Sequence, residues 1–173
     1  MEIVRILGID PGLRFTGYGI VNYDTEKNEI WTTHCGLIKT PQKIKGISAI
    51  LYMIEKIEEL SLNEFIGDCD KIVIEMPAAV YSAKFSSGAL LPVAAVAGGS
   101  FSIFDSEKLV PVYPSVWNQR MKKEKTKAIT ESILGETDTW TYDYKPKAKP
   151  QFEHIVDGIS MALWYMKLNY IEE

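Results

Sequence analysis

A mixed β-sheet with helices on both faces is the fold class that this sequence predicts, from three observations. Three β-rich segments follow one another at the start, over 3–10, 15–23 and 29–39, with only short turns between them. Such spacing suits antiparallel neighbours and leaves no room for a crossover helix. From residue 45 onward helical and strand-like patterns alternate, which is the signature of parallel strands joined by helices. The segment "KIVIEM" (71–76) is short, apolar at its centre and bounded by Asp70 and Pro77, as expected of a buried strand.

Each element has its own warrant. The run 3–10 is apolar and rich in β-branched residues, and "FTGYGIVNY" (15–23) alternates well enough for a second strand. "EIWTTHCGLIK" (29–39) follows the polar turn "DTEKNE" as a third strand. From Lys45 to Leu62, the residues Ile47, Ile50, Leu51, Ile54, Ile57 and Leu60 recur at helical spacing. "SSGALLPVAAVAGGSFSIF" (86–104) is apolar nearly all round, which predicts a core helix with Pro92 near its start. "KLVPVYP" (108–114) predicts a strand, and 124–134 a helix with Ile129, Ile133 and Leu134 on one face. Residues 135–151 are rich in turn formers, and 152–170 form a closing amphipathic helix.

The chain's 173 residues suit one domain with a sizeable core, and no repeat or low-complexity linker divides it. With 46% hydrophobic and 24% charged residues the composition is that of an ordinary soluble protein. No apolar run reaches the length of a membrane span and no signal peptide precedes the first strand, so a cytoplasmic protein without a membrane partner is expected. Cys35 and Cys69 stand without a second ligand at metal spacing, which reads as two thiols in a reducing compartment. A net charge of −4 announces no nucleic-acid partner. The basic charge is local instead: "RMKKEKTK" (120–127) and "KPKAK" (145–149) are either solvated surface segments or one basic face.

Three acids interrupt apolar patterns. Asp10 ends the first strand, Glu75 lies in "IVIEM", and Asp157 lies on the closing helix in "HIVDGISMAL". One acid of this kind caps a turn or pairs with a lysine. Three converging acids would need a cation, because burying an unpaired carboxylate costs several kcal/mol. Oxygen ligands suit Mg²⁺ or Mn²⁺. His154 precedes Asp157 by one helical turn, so the two share a face, either as a core histidine beside an acid or as two ligands.

The stretch "GIDPGLRFTGYGIV" resembles the N-terminal strand-turn-strand of RuvC-type Holliday-junction resolvases, members of the retroviral-integrase/ribonuclease H-like superfamily. The resemblance extends to "IVIEM" as the second acidic strand and to "EHIVDGISMALWY" as the acidic C-terminal helix, in the right order over nearly the whole chain. Its departures from the bacterial pattern are similar to those of viral or mobile-element members. The resemblance implies a single ribonuclease H-like nuclease domain over residues 1–173, with a mixed five-stranded sheet flanked by helices. It implies Asp10, Glu75, His154 and Asp157 as ligands of two Mg²⁺ or Mn²⁺ ions, with His154 where many relatives carry an aspartate. The glycines at 17 and 19 would keep their strand low enough for a phosphate to approach.

Lesser positions follow from the same resemblance. "VYSAK" (80–84) resembles the family's aromatic-x-Ala-Lys segment, which implies Tyr81 as a stacking platform at an opened junction and Lys84 beside it. "EKT" (124–126) resembles the family's Glu-Lys-Ser/Thr and implies Lys125 at the scissile phosphate. Arg14, Lys122 and Lys123 complete the expected DNA contacts. The implied activity is metal-assisted hydrolysis of phosphodiesters in four-way junctions, by a homodimer, in recombination, repair or viral DNA processing. Two alternatives stand beside it: a nuclease of flaps, forks and three-way branches on the same fold, and a DNA-structure-binding module without catalysis. Retention of all three acids argues against the second. An actin-like ATPase would need two such domains and a nucleotide cleft, for which 173 residues are too few.

Overall fold

The computed structural model describes residues 2–77, 87–120 and 149–171. Five strands form one sheet in the order β3-β2-β1-β4-β5. β1 (Ile3–Asp10), β2 (Phe15–Asp24) and β3 (Glu29–Lys39) are an antiparallel meander. β4 (Lys71–Glu75) and β5 (Leu109–Val112) add to β1 in parallel. The helices among the described residues are α1 (Ile47–Ser61), the single turn α2 (Glu64–Gly67), α3 (Ser87–Ser100), α4 (Pro114–Arg120) and α5 (Lys149–Asn169). The mixed five-stranded sheet expected from the sequence is therefore present.

Two buried clusters show which face each strand residue serves. Val4, Ile6, Val21, Tyr23, Cys35, Leu37 and Val73 pack under α5, with Ile155, Ile159 and Leu163. Leu7, Ile9, Tyr18, Ile20, Ile72 and Ile74 pack under α1, with Met53 and Ile57. The alternation is the period of two that a strand imposes, so the next residue of each set is placed by it: Gly8 and Asp10 of β1 and Glu75 of β4 belong to the α5 face.

α5 lies on β1 and β2 at backbone distance. A Cβ on Gly8 would stand 1.9 Å from the Gly158 carbonyl oxygen, and one on Gly17 would stand 2.1 Å from the carbonyl carbon and oxygen of His154. The glycines of β2 thus admit a helix rather than a phosphate. Gly17 receives the backbone of α5 and Gly19 receives the Ile159 side chain, whose Cγ1 would be 2.3 Å from an added Cβ. The expectation that these glycines clear a path for substrate is corrected accordingly.

Other differences have local causes. α3 stops at Ser100 instead of 104, where Phe101 and Ser102 donate back to Gly98 and Gly99 in tight turns. It is not buried all round either: Val96 and Ala97 are buried while Leu91 is 76% exposed. β5 ends at Val112, because Pro114 opens α4, a position where its fixed φ favours a helix start. α2 is too short for a periodicity to show. The helix predicted over 124–134 lies outside the described residues.

A bulge separates the Gly19–Cys35 pair from the Val21–Thr32 pair, placing Thr33 and His34 together opposite Ile20. His34 stacks flat on Phe65, with ring centroids 3.9 Å apart at 8°. Its Nδ1 is buried with no hydrogen-bond partner among the described residues, and burial lowers its pKa. The folded state therefore prefers neutral imidazole. That contribution to stability is complete above the unfolded value near 6.5 and is lost as pH falls below it toward the lowered folded value. The melting temperature is expected to fall on acidification through that window. His34→Phe, which keeps the stack and removes the titration, should flatten the fall in a series of thermal melts at stepped pH.

Candidate active site

The site is a row of residues across one end of the sheet. Register pairs Leu37 with Gly17, Gly17 with Asp10, and Glu75 with Val112. β1 and β4 are in register up to Ile9–Ile74, so Asp10 and Glu75 are the next pair, on neighbouring strands ~4.8 Å apart. Both belong to the α5 face by alternation. The row therefore carries two carboxylates at its centre, between a glycine and apolar neighbours.

α5 brings in the third group. His154 Nδ1 and Asp10 Oδ2 are 2.6 Å apart, with the Asp10 side chain 13% exposed and that of His154 37%. The hydrogen bond to Asp10 raises the pKa of His154 against the opposing effect of burial, and the charges of Asp10, Asp157 and Glu153 raise it further. A proton on Nδ1 is thus favoured, donated to the Asp10 carboxylate. Phe15 stacks against the imidazole at 6.0 Å and 29°, which limits its rotation.

The turn after Asp10 is held from two sides. The Gly12 amide donates to Thr16 Oγ1 at 3.1 Å, and the same hydroxyl lies 3.2 Å from the Gly12 carbonyl. A Cβ on Gly12 would meet the Phe15 carbonyl oxygen at 2.3 Å. Thr40 then ties the loop to the end of β3, its amide donating to Arg14 O at 3.1 Å and its hydroxyl to Leu13 O at 2.9 Å. Arg14 Nη1 donates to the carbonyls of Ile44 at 2.7 Å and Pro41 at 3.3 Å. The expected DNA contact at Arg14 is thus first of all a brace for the loop. It also lines a cavity of about 330 Å³ with Phe15, Lys39, Thr40, Gln42 and Gln151. A larger cavity of about 500 Å³ lies between β3 and α1, around Tyr52, Lys56 and Glu59. It contains none of the row's carboxylates.

The four expected metal ligands are not brought together equally. Asp10 and His154 are in direct contact, and Asp157 is close enough to act on His154 by its charge. Glu75 Oε2 accepts a 2.8 Å hydrogen bond from Trp117 Nε1. Among the described residues no three His, Cys, Asp or Glu side chains converge closely enough to hold a metal ion. The donor chemistry nevertheless fits one: hard carboxylate oxygens and an imidazole share one face at one end of the sheet. Tyr81, Lys84, Lys122, Lys123 and Lys125 lie outside the described residues. Cys35 and Cys69 are buried free thiols, both pushed up to about 12 by burial, which makes them poor ligands and nucleophiles. No helix among the described residues is long and apolar enough to cross a membrane.

Two partners escaped the sequence reading. Phe15 looked like an ordinary strand aromatic, and Trp117 lay in a stretch without periodicity. The signal for Trp117 was its place one turn beyond Pro114, two residues past the end of β5.

A family model described as crossover junction endodeoxyribonuclease RuvC matches residues 6–130, well over half of the chain. The match ends before α5, so His154 and Asp157 lie beyond it. The crossover junction endodeoxyribonuclease RuvC of Nitrobacter hamburgensis is 40% identical over 62 residues, 36% of this chain and 35% of that protein. The aligned stretch thus spans about a third of that relative's length. Among solved structures, T. thermophilus RuvC in complex with Holliday junction substrate superposes with a TM-score of 0.68 at 16% identity, over 96% of this chain and 97% of that one. Fowlpox virus resolvase in complex with junction DNA gives a TM-score of 0.57 at 17% identity, over 97% and 100%. These structures share the fold, and with the acids of β1 and β4 inside the matched region, this chain belongs to the RuvC family.

Proposed function

We propose that the chain is a metal-dependent endonuclease that hydrolyses phosphodiesters in four-way DNA junctions. The observation that carries this reading is the adjacency of Asp10 and Glu75 in one layer of the sheet, with His154 and Asp157 presented from α5. Asp10, Glu75, His154 and Asp157 would hold Mg²⁺ or Mn²⁺, two ions per site. The ions would supply activation of water and stabilisation of the leaving oxygen. Asp10 and Glu75 contribute charge from rigid strand ends, where their positions do not drift with a loop. Phe15 and the Asp10 hydrogen bond orient the imidazole of His154. Lys125 would neutralise charge developing on the scissile phosphate. Arg14, Tyr81, Lys84, Lys122 and Lys123 would contact DNA, Tyr81 by stacking.

A four-way junction offers two equivalent strands, so a twofold homodimer with one site per strand fits the substrate's symmetry. Two free thiols accord with a reducing, cytoplasmic compartment. The deciding experiment incubates the purified chain with labelled four-way, three-way, flap and linear DNA in Mg²⁺, Mn²⁺ or EDTA. Paired cuts confined to the four-way junction in either metal support the proposal. Equal cutting of flaps and three-way branches makes it a general branched-DNA nuclease, and binding without cutting makes it a structure-binding module.

DNA affinity should fall steeply with salt, since each neutralised phosphate releases condensed counterions. Reversing Lys122, Lys123 and Lys125 to Glu should lower affinity for every DNA alike. It should also flatten the salt slope by roughly one for each phosphate that is no longer neutralised. Gel shifts at stepped salt measure both. A slope unchanged in the triple variant would make 120–127 an ordinary solvated segment.

A further inference from the structure

Trp117 is almost entirely buried, at 2% exposure, on a seven-residue helix that begins two residues past the end of β5. Its ring belongs to the cluster under α5, with Val73 and Val112. Those two residues flank Glu75, Val73 two places before it on β4 and Val112 opposite it on β5. The one polar atom of the indole reaches the acid: Nε1 donates to Glu75 Oε2 at 2.8 Å. A buried indole N–H needs an acceptor, and a carboxylate offers about four lone-pair sites, so this donor fixes the group's orientation while occupying one of them.

The kind of donor matters. A lysine or arginine in this place would cancel the charge of Glu75 and repel a cation. Indole is neutral and has no acceptor nitrogen and no titration in the working range, so it fixes the carboxylate's rotation while leaving its charge in full. Partners behind ligating groups commonly act this way, and their loss weakens metal affinity.

We infer that Trp117 is a positioning residue for Glu75, holding its carboxylate in the orientation that receives a divalent ion. This rests on the metal-dependent reading proposed above. Trp117→Phe keeps an aromatic ring in the core and removes the N–H. Calorimetric titration of the DNA-free chain with Mn²⁺ should show affinity weakened by roughly 10–100-fold in this variant. On a four-way junction kcat should fall by a similar factor while KM for DNA holds. Glu75→Gln isolates the route: if Trp117 acts through Glu75, adding Trp117→Phe to Glu75→Gln should weaken Mn²⁺ binding no further. A residue that only packs would lower the melting temperature in both backgrounds and leave Mn²⁺ affinity unmoved.

A wild-type chain that takes up no Mn²⁺ overturns the metal reading and this inference with it. A wild type that binds and cuts, beside a Trp117→Phe variant that does both equally well, overturns this inference alone. Should the Phe variant fail to fold, the wild type decides: the Trp117 indole N–H resonance should move with Mg²⁺ at the concentrations that a parallel Mg²⁺ calorimetric titration gives for binding. A resonance unmoved at saturating Mg²⁺ overturns the assignment.

Discussion

Asp10→Asn is expected to abolish junction cutting, by roughly a thousandfold or more, at the upper end of what a single charge-stabilising donor is worth. The fold should not notice. Asparagine has the shape of aspartate, and its oxygen can accept the same hydrogen bond from His154 Nδ1 that Asp10 accepts at 2.6 Å. What goes is the charge at the centre of the row, on which metal affinity depends. Two further readouts separate a ligand from a structural acid. Without the Asp10 charge the pKa of His154 should drop from its raised value toward the ordinary one, since a neutral amide oxygen favours a protonated imidazole less than a carboxylate does. Junction affinity in EDTA should hold or improve, because losing one negative charge lessens repulsion of DNA phosphates. Cutting by Asp10→Asn at the wild-type rate in Mg²⁺ would make Asp10 structural.

How much of this was visible in the sequence depends on how far apart the interacting residues lie. β1 and β4 were legible as short apolar runs and β2 as an alternating one, and the acids stood out as breaks in apolar patterns. The pairing of Asp10 with His154 spans 144 positions, and only the fold brings the two together. Trp117 and Glu75 are 42 apart and share neither element nor periodicity. The misreading of Gly17 and Gly19 has the same origin. A glycine in a strand signals close approach, and the sequence does not say what approaches. A mobile substrate and a resident helix leave the same mark. Arg14 adds a contact that only the fold supplies: its Nη1 donates to the carbonyls of Pro41 and Ile44, 27 and 30 positions along the chain.

The glycine at position 17 joins fold and chemistry in one substitution. Gly17→Ala puts a methyl group 2.1 Å from the His154 backbone, where no rotamer can relieve the clash. α5 must move away from β2 where it delivers His154 to Asp10. Overpacking against backbone falls at or above the usual ~1–3 kcal/mol, so a fall in melting temperature of roughly 6–12 °C is expected. Activity should fall further than stability accounts for, because a shift of about 1 Å at a positioned group can cost ~10²-fold in rate. Gly19→Ala is the control, two residues along the same strand and on the same face. There the added methyl meets the Ile159 side chain, Cγ1 at 2.3 Å and Cδ1 at 3.0 Å, and a side chain can turn aside. It should lose less stability and keep most of its cutting. The two variants melted and assayed together therefore test whether α5 is seated by Gly17: equal losses at both positions would mean that strand packing in general, and not the approach of His154, limits the site.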